Sequence, residues 1–206
     1  MQSAIVIVDY GTGNLNSIRR TLDRVGVKAV ASADAGGIGR ADKLILPGVG
    51  HFGNAMLRLA ELGLVDALNE AVLSKRKPVL GICLGMELMA RSSEEGDATG
   101  LGWIDARAVR LKVPDDSRYK VPHMGWNRVH SKKASALTDG IDESSEFYFA
   151  HSYHLELNDP SDLLTETTYA VGFPSAIERD NIFGVQFHPE KSHDAGARLL
   201  KNFADI

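Results

Sequence analysis

The first hundred residues alternate between continuous apolar runs and segments in which apolar residues return at helical spacing. Residues 4–8 (AIVIV) form an unbroken apolar run, as in strands that are buried on both faces of a parallel sheet. After the turn DYGTGN, apolar side chains recur on one predicted helical face, at Leu15, Ile18, Leu22 and Val25. Gly26 is typical of a residue that ends a helix. The pattern therefore predicts a strand, a turn and a helix.

The same order repeats along the chain. Residues 27–31, 43–50 and 78–85 are predicted to contain strands, and residues 54–75 are predicted to be mostly helical. Strands that alternate with helices favour βαβ units. Beyond about residue 100 the segments are shorter and alternating, which predicts an antiparallel extension of the same sheet. We expect an α/β fold over residues 1–206, with a mostly parallel central sheet, flanking helices and an antiparallel extension.

Composition limits the classes of function. The 206 residues carry a formal net charge of −4 and no basic block, so neither nucleic acid nor a membrane surface is an expected partner. One cysteine cannot form an internal disulfide, and no Cys/His cluster has zinc-ligand spacing, so no metal site is expected. The start MQSAIVIVDYG does not resemble a signal peptide, and no apolar run approaches the roughly 18 residues of a membrane span, which favours a cytoplasmic protein.

The lone thiol lies where a predicted strand gives way to a helical pattern. The pentapeptide Gly81-Ile82-Cys83-Leu84-Gly85 has the G-x-nucleophile-x-G form of a nucleophile elbow, in which flanking glycines allow close backbone approach. A thiol at a helix N-terminus also feels the positive end of the helix dipole, which favours the thiolate. The pattern fits a catalytic nucleophile and equally fits a buried, inert cysteine.

A cysteine nucleophile needs a base and a group that orients the base. His188 and Glu190 follow the apolar segment NIFGV, and alternate residues of an extended segment point the same way. This spacing predicts an imidazole–carboxylate pair. A His and a Glu in a surface turn would give the same pattern.

A glycine-rich turn, Pro47-Gly48-Val49-Gly50, follows the predicted strand KLIL. At the carboxyl end of a strand, such a turn can direct backbone N–H groups into the crevice where α/β sheets bind ligands. Together with the N–H of Leu84 it would form an oxyanion hole. An ordinary β-turn accounts for the same residues.

In this order and at these intervals, PGVG, GICLGM and FHPE resemble the motifs of the class I, triad-type glutamine amidotransferases, whose α/β fold is flavodoxin-like. Three further segments resemble the glutaminase subunits of imidazole glycerol phosphate synthase within that class: HMGWN at 123–127, YFAHSY at 148–153 and FGVQFHPEKS at 183–192. The likeness covers nearly the whole chain.

The resemblance implies hydrolysis of L-glutamine by a triad in which Cys83 is the nucleophile, His188 shuttles the proton and Glu190 orients the imidazole. The oxyanion hole is implied at the backbone of Val49 and Leu84. Residues implied to hold the substrate are Gly50, Glu87, Glu95, Ser152 and Tyr153. No cofactor is implied. Apart from the resemblance, the segment SSEEG around Glu95 would be an acidic surface loop.

The resemblance also implies a heterodimer with a (β/α)₈-barrel cyclase subunit, which would receive the ammonia in histidine biosynthesis. Positions implied to lie at or near this interface are Trp126, Asn127, Tyr148 and Lys191. Apart from the resemblance, the two aromatic residues would be ordinary core side chains and Lys191 a solvated cation.

One residue departs from the family pattern, because Glu87 stands where the motif GICLGMQ has glutamine. A charged Glu87 would raise the pKa of the Cys83 thiol and lower activity, whereas a protonated one, or one directed at the substrate's ammonium group, would permit activity. Three hypotheses stay open: a working glutaminase of imidazole glycerol phosphate synthase, an ammonia-supplying subunit for a cell-surface sugar amidotransferase, and a non-catalytic scaffold disabled by Glu87. The presence of Cys83, His188 and Glu190 favours an enzyme.

Overall fold

A computed structural model describes residues 4–206. Its strands are β1 (Ile5–Val8), β2 (Ala29–Ser32), β3 (Lys43–Gly48), β4 (Val79–Cys83), β5 (Ser92–Ser93), β6 (Ala98–Thr99), β7 (Ala106–Arg110), β8 (His123–Arg128), β9 (His130–Ser131), β10 (Glu146–His151), β11 (Tyr153–Leu157), β12 (Leu163–Tyr169), β13 (Val171–Arg179) and β14 (Ile182–Val185). Its α-helices are α1 (Leu15–Arg24), α2 (Ala35–Arg40), α3 (Phe52–Glu61), α4 (Leu64–Asn69), α5 (Leu84–Glu87) and α6 (His193–Asp205). Strands and helices alternate up to β4, as the apolar pattern predicts except at α2, which was not predicted.

The central sheet has the strand order β2-β1-β3-β4-β14-β13-β12-β9. Strands β2, β1, β3, β4 and β14 are mutually parallel, and β13, β12 and β9 continue the sheet with antiparallel pairings. This topology confirms the α/β fold with a parallel centre and an antiparallel extension.

Both faces of this sheet are covered. Along β1, Ile5 and Ile7 join the apolar cluster that contains the buried residues of α1 and α6. The alternate residues Val6 and Val8 join a second cluster, with the buried residues of α3 and α4. Successive side chains of a strand point to opposite faces, so a strand between two helical layers needs a continuous apolar run.

Four of the later strands do not extend the central sheet. Strands β8 and β10 form a two-stranded sheet, and β11 and β7 pair in a further sheet with β5 and β6. The expectation that all segments after about residue 100 extend one sheet is therefore wrong for these four. Their alternating burial shows one face on the core and one face outward, and that pattern does not specify which strand is the neighbour.

The helices differ from the sequence pattern at two places. The helix predicted over 54–75 is divided at Gly63, which has φ 65°, and α4 continues into a π-helical segment, Glu70–Ser74. Helix α5 is only 4 residues long, because carbonyl groups of residues 88–90 accept hydrogen bonds from residues 101–104 instead of from a further helical turn. Within residues 4–206, no helix has the length and apolar character needed to cross a membrane.

Candidate active site

The three motifs singled out in the sequence meet at one edge of the central sheet. Strands β3, β4 and β14 are parallel neighbours, with Gly48 beside Cys83 and Ile82 beside Val185 in the register. The carboxyl ends of parallel strands share an edge of the sheet, and ligands of α/β proteins bind there. The glycine-rich turn, the cysteine and the His-Glu segment therefore leave the sheet side by side.

Cys83 sits on a sharp turn between β4 and α5. Its backbone has φ 54° and ψ −114°, a conformation that costs a non-glycine residue about 1–3 kcal/mol. A Cβ on Gly81 would lie 2.7 Å from the carbonyl O of Gly85, and a Cβ on Gly85 would lie 1.8 Å from the carbonyl O of Leu46. Both flanking glycines are thus required by close backbone packing, as a nucleophile elbow demands.

The thiol of Cys83 is buried. Burial raises its pKa well above the ordinary range, the charge of Glu87 raises the pKa further, and the N–H of Leu84 opposes both effects. The net direction is opposite to the lowering expected from a helix N-terminus alone, because α5 is short and the thiol is screened from water. The Sγ atom donates a 3.9 Å hydrogen bond to the carbonyl O of Ala150 in β10.

His188 and Glu190 form a buried pair just beyond β14. The Nδ1 atom of His188 donates to Oε1 of Glu190 over 2.9 Å, and both side chains are almost fully shielded from solvent. Since Nδ1 carries the proton, Nε2 of the neutral ring has its lone pair free. The pairing follows the predicted spacing, although Glu190 lies in a 3₁₀ turn, Pro189–Lys191, instead of an extended segment.

The glycine-rich turn is fixed at one end and open at the other. The buried Tyr10 hydroxyl donates to the carbonyl O of Pro47 over 2.7 Å, and a Cβ on Gly48 would lie 2.7 Å from the same hydroxyl oxygen. Gly50 has φ 105° and open space around it, and Val49 is 43% exposed. The turn therefore has an anchored base and an accessible tip.

A cavity of about 240 Å³ opens beside the cysteine. It is lined by the predicted nucleophile and by every residue predicted for the oxyanion hole and the substrate: Val49, Gly50, Cys83, Leu84, Glu87, Glu95, Ser152 and Tyr153. His188 does not line this cavity, and Glu190 borders a different one together with Lys191. The cavity thus gathers the predicted binding residues on the thiol side of the His-Glu pair.

Three further residues line the cavity and were not predicted: Pro122, Ala150 and His151. Pro122 precedes HMGWN, and Ala150 and His151 lie inside YFAHSY, so proximity to these motifs was the available signal. Ala150 contacts the thiol through its backbone carbonyl, which no side-chain pattern can indicate.

A profile of known families matches residues 6–206 of the chain, under the description "Glutamine amidotransferase class-I". The chain belongs to the class I glutamine amidotransferase family. The match spans nearly the whole length and confirms the family that the motifs resemble.

Relatives of this amidotransferase align over almost their full length. "Imidazole glycerol phosphate synthase subunit HisH 2" of Pseudomonas aeruginosa is 51% identical over 98% of this chain and 99% of that protein. The protein of the same name from Methanococcus maripaludis is 48% identical over 97% of this chain and 98% of its own length. A crystal structure of a glutamine amidotransferase has a TM-score of 0.75 at 18% identity, covering 98% of this chain and 99% of that one, which supports the fold.

Glu87, the residue of this amidotransferase that differs from the family motif, is buried at the cavity wall. Its Oε1 atom accepts a 2.8 Å hydrogen bond from Nε2 of Gln186. Burial raises the pKa of Glu87 to about 8, against the opposing hydrogen bond from Gln186 and with a further contribution from the charge of Glu95. At pH 7 the neutral acid then outnumbers the carboxylate roughly ten to one. A neutral carboxylic acid has one donor and an acceptor, as a glutamine amide has, which matches the protonated form that the sequence analysis considered for Glu87.

Glu95 lines the same cavity and is held by a backbone hydrogen bond. Its Oε2 atom accepts a 2.6 Å hydrogen bond from the backbone N–H of Phe52, the first residue of α3. Carboxylates are favoured at helix N-termini because unpaired N–H groups and the helix dipole stabilise negative charge. The acidic loop is therefore folded back on the protein with Glu95 at the cavity wall.

Three of the four residues predicted for the partner interface lie together. Trp126 is 44% exposed, stacks on His193 with ring centroids 4.9 Å apart, and meets the ring of Tyr148 edge-on at 5.9 Å. The ammonium group of Lys191 lies 5.5 Å from the centre of the Tyr148 ring. Asn127 instead donates from Nδ2 to the carbonyl O of Thr168, since neighbouring residues of β8 point to opposite faces.

Proposed function

We propose that this chain is the glutaminase subunit of an imidazole glycerol phosphate synthase and supplies ammonia to a cyclase subunit in histidine biosynthesis. The observation that carries the proposal is the convergence of Cys83, the glycine-rich turn and the His188–Glu190 pair at the ends of three adjacent parallel strands. The two relatives named above bear the name of that subunit, which supports the choice within the family.

Acylation begins with a neutral thiol. As glutamine enters the cavity, the thiol of Cys83 leaves the carbonyl O of Ala150 and donates its hydrogen bond to Nε2 of His188 instead. Nε2 then takes the thiol proton while Sγ bonds to the side-chain amide carbon of glutamine. Glu190 holds the imidazole in the required tautomer and stabilises the imidazolium that forms. The proton then passes from Nε2 to the amide nitrogen, the C–N bond breaks, and ammonia leaves a γ-glutamyl thioester.

Deacylation uses the same proton transfer through His188, with water as the nucleophile. His188 removes a proton from water as the oxygen attacks the thioester carbon, and the C–S bond breaks to give glutamate while the proton returns to sulfur. Backbone N–H groups of Leu84 and Val49 stabilise the oxyanion in both steps. Removal of one such donor typically costs roughly 10²–10³ in rate, so the exposed tip at Val49 and Gly50 offers a point of control.

The two carboxyl groups of the cavity contribute differently to substrate binding, one as a charged acceptor and the other as a neutral donor. Glu95, held at the N-terminus of α3, offers charge to the α-ammonium group of glutamine. Glu87, kept neutral by burial, offers a hydroxyl donor in place of the family's amide. Gly50, Ser152 and Tyr153 complete the wall around the rest of the substrate.

The partner we propose is a (β/α)₈-barrel cyclase that docks on the cluster of Trp126, Tyr148 and Lys191, with Asn127 at its edge, to form a heterodimer. Exposed aromatic residues are enriched among the residues that carry binding energy in protein interfaces. The cluster packs against the segment that holds the triad, because Lys191 directly follows Glu190 and the backbone N–H of His188 donates to the carbonyl O of Tyr148.

The test measures glutamate release from glutamine by the purified chain, alone and with the cyclase subunit encoded in the same organism and its nucleotide substrate. Cys83→Ala serves as the negative control. Partner-stimulated release that is absent from Cys83→Ala supports the proposal. Glutamate release without formation of the imidazole product would point to another ammonia acceptor, and no release from the natural chain under any condition would support the scaffold hypothesis.

A further inference from the structure

Two buried histidines form a pair at the cavity beside Cys83, and one of them, His151, lines it. His123 begins β8 and His151 ends β10, and the two residues are paired in the register of their sheet. Nδ1 of His123 lies 3.0 Å from Nε2 of His151, and Nδ1 of His151 lies 2.7 Å from the carbonyl O of Tyr153. Only 2% of His123 and 4% of His151 is exposed.

The tautomers of both rings follow from these contacts. A carbonyl oxygen only accepts, so Nδ1 of His151 carries a proton and donates to Tyr153. In the neutral ring Nε2 of His151 is then an acceptor, and Nδ1 of His123 must be its donor. Burial lowers the pKa of His123 to about 4 and that of His151 to about 3, so both rings are neutral at pH 7.

Aromatic neighbours hold the pair in place. The ring of His123 lies between Tyr169, with centroids 4.0 Å apart and planes at 20°, and Phe149, at 4.9 Å and 24°. The ring of His151 packs on Phe173 at 4.9 Å. A phenyl ring at position 123 would keep this stacking and lose only the donor.

Both nitrogens of His151 are occupied, so this ring cannot exchange a proton with substrate. Its side chain instead ties the turn between β10 and β11, because it hydrogen-bonds the carbonyl group of Tyr153 two residues ahead. This turn supplies Ala150, His151, Ser152 and Tyr153 to the cavity wall, and the carbonyl of Ala150 accepts from the nucleophile. The shape of this wall therefore depends on the orientation of one imidazole.

We infer that His123 and His151 are a positioning pair: His123 fixes the tautomer and orientation of His151, and His151 fixes the wall of residues 150–153 against which glutamine binds. The inference rests on the proposed glutaminase function. The pair acts on substrate binding through the wall and takes no part in the chemical steps.

Matched substitutions at position 123 separate the donor from the ring. His123→Phe retains the stacked ring and leaves Nε2 of His151 without a donor, whereas His123→Asn places an amide N–H near the position of Nδ1. A buried acceptor left unpaired is costly, so we expect the ring of His151 to turn toward another donor and to displace the wall that it holds. We expect the KM for glutamine to rise about tenfold in His123→Phe with kcat changed less than about threefold, and to recover most of the way in His123→Asn. The exposed His130→Phe is the control and leaves KM unchanged.

Equal KM values in the natural chain and His123→Phe would overturn the inference, as would a parallel fall in kcat and in the alkylation rate of Cys83 by iodoacetamide. Calorimetry of the same variants in a Cys83→Ala background measures glutamine binding without turnover. We expect the affinity of His123→Phe for glutamine to be about tenfold lower there as well. If His123→Phe weakens glutamine binding and His123→Asn restores it, but the natural chain releases no glutamate, the proposed function is refuted and the positioning role of the pair is still supported.

Nitrogen-15 NMR of the histidine rings in the full chain tests the pair without any substitution. We expect both rings to be neutral Nδ1–H tautomers at pH 7, with ring protons protected from exchange. An Nε2–H tautomer for His151, or a cationic ring for either residue, would refute the hydrogen-bond assignment on which the inference depends.

Discussion

Replacement of Glu87 by glutamine removes one titrating proton from a buried site and hardly changes the shape of the side chain. Burial raises the pKa of Glu87 from 4.5 to about 8, so the folded chain prefers the neutral acid while the unfolded chain ionises above pH 4.5. Between these two values the folded state binds more protons than the unfolded state, and its stability falls as pH rises. At 1.36 kcal/mol per pKa unit, the loss amounts to about 3 kcal/mol at pH 7.

The glutamine variant escapes this loss because its amide does not titrate. We expect the free energy of unfolding of Glu87→Gln, relative to the natural chain, to increase by about 2–3 kcal/mol between pH 5 and pH 7, since most of the titration window lies in that range. Urea unfolding of both chains at the two pH values measures this difference, and contributions of other groups cancel. Glu143→Gln, at an exposed site, is the control and should show no such change.

The same substitution has a matching effect on activity. Above pH 8 the natural chain acquires a carboxylate that raises the pKa of the Cys83 thiol, so kcat/KM of Glu87→Gln should match that of the natural chain near pH 7 and exceed it about tenfold at pH 9. A stability difference that is the same at pH 5 and pH 7 would refute the reasoning, because it would mean that Glu87 is already ionised in the folded chain at pH 5.

Three further predictions follow from single contacts. Tyr10→Phe removes the donor that anchors the oxyanion turn, so kcat for glutamine hydrolysis should fall about tenfold at unchanged KM in steady-state assays, and an unchanged kcat would contradict the anchor. Gly85→Ala forces a Cβ against the carbonyl of Leu46 and should lower the free energy of unfolding by about 3 kcal/mol in urea titrations, whereas Gly39→Ala, in open space within α2, should not lower it. Trp126→Ala should weaken binding of the cyclase subunit by about 2 kcal/mol in calorimetry with the melting temperature retained, and unaltered affinity would remove it from the interface.

The parallel centre of the fold was predictable because its signal is local. A continuous apolar run such as residues 4–8 occurs where both faces of a strand are covered, and each run is followed by a helix that covers one face. The separate sheet of β8 and β10 was not predictable, because its alternating pattern states only that one face is buried. The position of β10 depends on contacts of Phe147 and Phe149 with Phe187, a residue that is distant along the chain.

The positions of Cys83 and His188 in the candidate site were predictable for a similar reason. Cys83 and His188 each stand at the end of a predicted strand within a recognisable motif. The protonation of Glu87 was not predictable, since it depends on burial and on the amide of Gln186, 99 residues away along the chain. The role of Ala150 depends on a backbone carbonyl and leaves no trace in residue type.

In the proposed mechanism, glutamine hydrolysis proceeds through a thioester on Cys83. Acid quenching of the chain during turnover with glutamine and the cyclase subunit, followed by mass spectrometry of its peptides, tests this claim most directly. We expect a glutamyl adduct on the peptide that contains Cys83, with neither adduct nor glutamate from Cys83→Ala. Glutamate release that persists in Cys83→Ala would contradict it.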